Sequence, residues 1–459
     1  KQITGPTRTY TYDDNNTAVC PTNERFGKGR LTGLTDQSGT TKYCYNRFGD
    51  LVRKVQTTNA IVFTTRYGYD AAGRLATTTY PDGAVLDGVR DGEGRITQLG
   101  ITPVGGTRQI VLTGVTYAPF GPSTGWTYGN GRSVLRSLNQ NYQPQAIHDA
   151  GAGGLSLGFG FDAVGNLILL QDAAQTANLA QYGYDALNRL KQTKDGPTGT
   201  PIETYGYDAT GNRTSVLHAG ATTAYTYPAT SHRLDKVATV ARTYDAAGNT
   251  TKIGGNARQF VYDNSGRMTQ VKAGSTITGN YHYNAKGEQV RAYLGTDSAY
   301  FVYDEAGHLL GEYDTAGVLK QQMIWFDDLP VGMLDGAGAN QKLHYIEPDH
   351  LGTPRVVIDG VRNVPIWTWS LTGEAFGNTP PNQDADNDGV VFDFDLRYPG
   401  QRYDAATGMN YNYLRDCYDA ATGRYCQSDP IGLDGGITSY SYASSNPLRN
   451  FDPTGQVHT

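Results

Sequence analysis

The chain has 459 residues, a formal net charge of -6, 58 Gly and 33 Tyr, and both residue types exceed ordinary usage. This composition favours strands joined by tight turns over helices. The mild charge and the lack of a basic stripe argue against nucleic-acid binding, and no apolar run approaches the roughly 20 residues that cross a bilayer.

A short unit, aromatic-x-Tyr-Asp-x-x-Gly-Arg/Asn, recurs along most of the chain. In a clear copy Tyr67, Tyr69, Asp70 and Gly73 fill the defining positions. Other copies centre on Asp185, Asp208, Asp245, Asp263, Asn284 and Asp304, and weaker ones on Asp13, Asn46, Asp91 and Asp162. Repetition at this spacing predicts a repeat architecture.

Each unit predicts a β-hairpin. The alternating Tyr67 and Tyr69 suit a strand with one buried face. Asp70 opens a turn through its side-chain acceptor, and Gly73 supplies a positive φ. One hairpin cannot bury its aromatic face alone, so the hairpins stack into a long sheet that twists. We therefore predict an all-β fold, a spiralling ribbon of hairpins that curls into a hollow shell or barrel.

The four cysteines form two pairs that are local in the sequence, Cys20 with Cys44 and Cys417 with Cys426. In an extracellular chain each pair would be a disulfide. Reduced, half-buried thiols are the alternative.

A calcium-loop pattern follows further along the chain. Asp384, Asp386 and Asp388 occupy positions 1, 3 and 5, Gly389 position 6 and Asp395 position 12. Position 12 is Asp rather than the usual Glu, and the flanks look like strands. Calcium is the only cofactor that the sequence suggests, and a solvated acidic loop is the interpretation that we favour.

Two Asp-Pro-x-Gly turns lie near the end of the chain, Asp429–Gly432 and Asp452–Gly455. Proline biases the preceding Asp toward extended backbone, which helps to orient its carboxylate. Two carboxylates close enough to share one proton are what aspartyl-protease chemistry needs.

Several longer motifs carry a family resemblance. They are the repeats themselves, Pro119–Gly131, Asp349–Arg355 and the core segment Gly400–Gly455. Together they resemble the YD-repeat, or Rhs, family. The resemblance implies a hollow β-shell around a C-terminal toxin passenger, with a core domain that plugs one end.

The resemblance also implies a site. Asp429 and Asp452 would be the catalytic pair of a single-turnover intramolecular protease that cuts the Gln456–Val457 bond. Arg415 is the matching positioning residue, with Arg424 as second choice. Two features depart from the family: Gln456 stands where Leu is usual, and Cys417 lengthens the interval after Arg415.

We therefore expect a YD-repeat shell over 1–345, a core domain over 346–456 and a passenger stub over 457–459. The expected function is encapsulation of a polymorphic toxin that the core cuts free. Expected partners are the toxin passenger and a delivery component or an N-terminal shell segment. The first residue, Lys1, suggests a processed product that has lost its N-terminal part, and the bacterial cell surface or exterior is the expected location.

The rival hypothesis is a non-cleaving surface or adhesion module, similar to teneurins. Exposed tyrosine faces would stack on sugars in that case. Paired aspartates beside the C-terminus favour the protease.

Overall fold

The computed structural model describes residues 6–456 and is built from strands and turns. Strands β1–β10 are Thr9–Tyr12, Leu31–Asp36, Gly39–Tyr45, Leu51–Thr58, Ile61–Tyr69, Leu75–Thr79, Val85–Arg90, Ile96–Thr102, Gln109–Tyr117 and Ser123–Tyr128. Strands β11–β24 are Ser133–Leu138, Pro144–Asp149, Ser156–Phe161, Leu167–Gln171, Asn178–Tyr184, Leu190–Asp195, Pro201–Tyr207, Arg213–His218, Ala221–Thr226, Lys236–Val237, Val240–Tyr244, Thr250–Ile253, Arg258–Tyr262 and Met268–Ala273. Strands β25–β37 are Thr276–Tyr283, Gln289–Leu294, Asp297–Tyr303, Leu309–Tyr313, Leu319–Phe326, Leu329–Asp335, Lys342–Pro348, Pro354–Asp359, Pro365–Thr368, Gln401–Asp404, Met409–Asn412, Arg415–Asp419 and Arg424–Tyr425.

Helical structure in residues 6–456 is confined to single 3-10 turns. They are Thr22–Glu24, Gly338–Asn340, Gly432–Gly435 and Ala443–Ser445. No helix in this described part of the chain has the length and apolar character needed to cross a bilayer. The predicted all-β class is confirmed.

The repeat forms the predicted hairpin. Asp70 Oδ1 accepts the backbone N–H groups of Ala72 at 2.9 Å and Arg74 at 3.0 Å. Gly73 has a φ of 76°, which costs glycine little, and its N–H donates to the Asp70 carbonyl at 3.0 Å. In the copy where Asn188 replaces glycine, that asparagine takes a φ of 60°. The turn chemistry read from the sequence is confirmed.

The two tyrosines of a repeat have different environments. Tyr205, three residues before its turn Asp, is buried in the core at 2% exposure. Tyr207, next to the Asp, sits where the strand register shifts by one residue, and its hydroxyl donates to the Leu190 carbonyl of the preceding hairpin at 2.8 Å. Equivalent bonds join Tyr69 to Leu51 at 2.9 Å and Tyr184 to Leu167 at 2.7 Å. In these three copies the repeat is therefore tied to the one before it.

The described residues form two compact units. One comprises the chain up to Arg132, Asp263–Ser265 and Asn280–Tyr345. The other comprises Ser133–Tyr262, Gly266–Gly279 and the chain from Ile346 on. In the first unit β1–β10 pair antiparallel in chain order. In the second, β11–β24 do the same.

The segment after Ile346 does not pack by itself, because it shares a unit with repeat strands. The predicted division into 1–345 and 346–456 stays a prediction, and the predicted stub 457–459 lies outside the described residues. Within this segment β34–β37 form their own four-stranded antiparallel sheet. This small sheet carries the candidate site.

Candidate functional site in the C-terminal sheet

Strands β36 and β37 present the side chains of the site. Arg415 begins β36 and Tyr425 ends β37, and the strands pair antiparallel through Tyr418 and Tyr425. Cys417 in β36 and Cys426, the residue after β37, form a disulfide with Cα atoms 5.6 Å apart. The sheet is also anchored to the repeats, because Arg267 and Asp416 form a buried ion pair at 2.7 Å and Arg242 pairs with Asp419 at 2.7 Å. The disulfide and the two ion pairs therefore fix the strand ends that carry the site.

Asp429 lies in the first Asp-Pro turn, as predicted. Its Oδ1 accepts the Ile431 N–H at 3.0 Å, and its carbonyl accepts the Gly432 N–H at 3.0 Å. Its Oδ2 forms an ion pair with Arg415 Nη2, and both side chains are only 2% exposed. A buried carboxylate needs such a partner, because an unpaired charge is costly away from water.

Asp452 lies in the second Asp-Pro turn and is 3% exposed. Its Oδ2 accepts the Tyr425 hydroxyl at 2.9 Å, and its Oδ1 accepts the backbone N–H of Gln456 at 3.0 Å. Burial raises the pKa of Asp452, although the Tyr425 hydrogen bond and the charge of Arg415 act in the opposite direction. The net effect on the Asp452 carboxyl is therefore an upward shift of its pKa.

The two aspartates converge on Gln456. A Cβ atom at Gly435 would collide with the Asp429 carboxylate and lie 3.1 Å from the Gln456 carbonyl oxygen. The Gln456 carbonyl oxygen and the Asp429 carboxylate therefore both lie next to Gly435, whereas the Gln456 N–H donates to Asp452. The predicted cleavage residue thus donates its N–H to one of the predicted catalytic aspartates and has its carbonyl oxygen near the other. Val457, the other half of the predicted bond, lies outside the described residues.

Arg415, rather than Arg424, contacts an aspartate of the pair, Asp429. The guanidinium carbon of Arg415 lies 4.1 Å from the centre of the Tyr425 ring. Its Nε and Nη1 are buried and have no hydrogen-bond partner among residues 6–456. Arg424 instead donates Nη2 to the His232 carbonyl, at 2.5 Å. Of the two predicted positioning residues, the first choice is therefore the one brought to the site.

The acidic loop brings together three of its four predicted ligands. One carboxylate oxygen from each of Asp384, Asp386 and Asp388 lies within 4.8 Å of the others. Arg362 Nη1 contacts Asp386 and Asp388, each at 2.7 Å. Asp395 is not in this group. An arginine therefore neutralises part of the cluster, and calcium binding stays a prediction.

The Cys20–Cys44 pairing is also formed, with Cα atoms 5.6 Å apart. Both sequence-local pairs are thus disulfides in the structure, rather than the alternative reduced thiols.

Comparison with known families identifies the architecture. A family model described as the teneurin YD-shell matches residues 145–438, well over half of the chain, and the RHS repeat model matches residues 45–85. The chain belongs to the teneurin YD-shell family. The resemblance stated from the motifs is confirmed.

Curated relatives of this YD-shell chain include a toxin and a surface protein. Double-stranded DNA deaminase toxin A of Burkholderia cenocepacia is 26% identical over 247 residues, 43% of this chain and 17% of that protein. Salivary gland surface protein 1 of Aedes aegypti is 31% identical over 166 residues, 34% of this chain and 5% of that protein. The YD-shell chain thus spans less than a fifth of the length of these two relatives.

The fold of the YD-shell chain also matches a solved toxin-complex structure. The crystal structure of TcdB2-TccC3 aligns with a TM-score of 0.78 at 18% sequence identity, over 98% of this chain and 26% of that chain. At this identity the likeness shows the fold alone.

Sequence reasoning missed three residues of the YD-shell site. Tyr425 and Asn412 carried no signal, because tyrosine and asparagine are frequent throughout the repeats. Gly435 lies in a Gly-rich loop where one glycine looks like another. Only the distances to Asp429, Asp452 and Gln456 separate these residues from their neighbours.

Proposed function

We propose that this chain is the shell of an Rhs-type toxin and that its C-terminal core cuts the Gln456–Val457 bond once, as an intramolecular aspartyl protease. The observation that carries the proposal is the placement of Gln456, with its N–H on Asp452 and its carbonyl oxygen beside Gly435 and Asp429. A turn that served only to end a strand would not need two buried aspartates around the backbone of one residue.

The charges at the site suggest a division of roles. The Arg415 guanidinium stabilises negative charge on Asp429, which suits a general base. Burial raises the pKa of Asp452, which suits a general acid. In this division Asp452 would carry a proton while Asp429 stays ionised beside Arg415.

In the proposed reaction Asp429 removes a proton from a water molecule while the water oxygen bonds to the carbonyl carbon of Gln456. The proton of Asp452 passes to the Val457 nitrogen as the C–N bond breaks. The products are a new carboxyl group on Gln456 and a free amine on Val457. The new end remains attached to the shell, so one turnover is expected.

The shell role draws on the family and on the toxin among the relatives. In the full protein a toxin passenger would follow the cut, and the shell would confine it until delivery by a secretion or N-terminal component. Location outside the bacterial cell or at its surface belongs to the same proposal.

A reporter protein fused after Thr459 tests the cut. Wild type should yield a free reporter fragment whose N-terminus is Val457 by mass spectrometry. Asp429→Asn and Asp452→Asn should remain full-length. The matched control is Asp434→Asn, which makes the same charge change at an exposed residue of the same loop and should cleave as wild type does. An intact wild-type fusion would refute the protease.

The similarity to a surface protein supports one alternative, a non-cleaving surface or adhesion module. This alternative predicts that wild type and both asparagine variants stay full-length. The same fusion experiment therefore separates the two functions.

A further inference from the structure

Tyr425 is the residue that contacts both halves of the aspartate site. Its hydroxyl donates to Asp452 Oδ2 at 2.9 Å. Its ring lies under Arg415, whose guanidinium carbon is 4.1 Å from the ring centre and whose Nη2 pairs with Asp429. One side chain therefore links the two carboxylates, although it is neither acidic nor next to them in the sequence.

Asn412 fixes the orientation of that hydroxyl. Its Nδ2 donates to the Tyr425 hydroxyl oxygen at 2.6 Å and to the backbone carbonyl of Asp452 at 2.8 Å. Because a carbonyl only accepts, the amide nitrogen must face it, and both hydrogens of the NH2 group are then used. The tyrosine oxygen receives one of them, which leaves its own proton free to point at Asp452.

The burial of these groups makes the arrangement rigid. Asn412 is 0% exposed, Arg415 2% and Tyr425 3%. Hydrogen bonds in such surroundings are strong and expensive to leave unmade. These hydrogen bonds therefore belong to the buried interior of the site and are not incidental surface contacts.

We propose that Tyr425, oriented by Asn412, is the positioning residue that holds both aspartates of the site in their working arrangement. This inference rests on the proposed protease function. Tyr425 contacts Asp452 and Arg415, so its contribution is to place Asp452 through its hydroxyl and Arg415 through its ring.

The hydroxyl also affects when Asp452 carries a proton. The charged or titratable groups that face Asp452 are Tyr425, Arg415 and Tyr442, with Asp429 reached through Arg415. The Tyr425 hydrogen bond lowers the pKa of Asp452 against the larger effect of burial. Removal of the hydroxyl should raise that pKa further. If Asp452 is the acid, cleavage is lost as pH rises through its pKa, so this limb of the pH profile should move to higher pH.

The test compares Tyr425→Phe with Tyr418→Phe in the reporter fusion, as single-turnover rates across pH. Tyr418 is a matched control, because its buried hydroxyl in the same sheet donates to the Phe376 carbonyl at 2.8 Å and not to an aspartate. Tyr425→Phe keeps the ring under Arg415, and we expect cleavage about tenfold to a hundredfold slower with the high-pH limb shifted upward. Tyr418→Phe should keep the wild-type limb.

Asn412→Ser is the second variant and leaves the tyrosine in place. Asn412→Ser should slow cleavage by a smaller factor than Tyr425→Phe does. If Tyr425→Phe does not fold, the rate of Asn412→Ser tests the positioning role instead. The inference would be overturned, with the protease intact, if Tyr425→Phe cleaved at the wild-type rate with the wild-type pH profile. It would also be overturned if Tyr425→Phe and Tyr418→Phe slowed cleavage equally and neither shifted the high-pH limb of the profile. An uncut wild-type fusion would overturn both.

Discussion

Replacement of Gly435 by alanine should slow the proposed cleavage about a hundredfold. The added Cβ would lie 2.6 Å from Asp429 Cγ and 3.1 Å from the Gln456 carbonyl oxygen. Carbon atoms in contact need about 3.5 Å, so the carboxylate would have to retreat by about 1 Å. A misplacement of about 1 Å costs on the order of a hundredfold in rate.

The backbone should tolerate this change, because Gly435 is absent from the glycines with positive φ, unlike its neighbours Gly432 and Gly436. The effect should therefore be local to Asp429. The assay is the time course of fusion cleavage on a gel, with the thermal unfolding midpoint measured in parallel. Asp434→Ala is the control, since it adds no atom near the carboxylate. Cleavage of Gly435→Ala within threefold of wild type would show that Asp429 does not act at this carbonyl.

Three further changes test the energetics of the same unit. Arg415→Met leaves Asp429 buried and unpaired, so urea unfolding should show a loss of about 3 to 5 kcal/mol, and an unchanged midpoint would contradict the buried pair. Burial and the charge of Glu203 raise the pKa of Glu374 from 4.5 to about 7. The folded state holds the Glu374 proton more tightly than the unfolded state does, so the free energy of unfolding should fall as pH rises. The fall should reach up to about 3 kcal/mol between pH 4.5 and 7. Glu374→Gln should flatten this pH dependence in urea titrations. Tyr207→Phe removes one bond between repeats and should cost about 1 kcal/mol in the same assay, with no effect on the cleavage rate.

The hairpins could be predicted from the sequence because their determinants are local. Asp70 bonds to N–H groups two and four residues on, and Gly73 needs only its own φ. Contacts of this kind lie within a window of about five residues, where residue type decides the geometry. The two Asp-Pro-x-Gly turns are local in the same sense, whereas the catalytic roles of Asp429 and Asp452 come from the family resemblance and stay a prediction.

The surroundings of the aspartates could not be predicted in this way. Asn412 reaches the Asp452 carbonyl 40 residues away, and nothing local signals that contact. The acidic loop shows the same limit, because Arg362, which contacts two of its carboxylates, lies more than 20 residues earlier. Packing between segments far apart in the sequence selects these partners. The spacing of residues in a single sequence does not indicate which distant segments will pack together.

The tyrosine bond between consecutive repeats has a consequence for how such a chain changes in length. Tyr69, Tyr184 and Tyr207 each reach a backbone carbonyl in the preceding hairpin, and a carbonyl is present whatever residue stands there. A duplicated or deleted repeat therefore meets a usable acceptor at its new border. Gene-level gain or loss of whole repeats should therefore be tolerated far better than insertion of a few residues inside one.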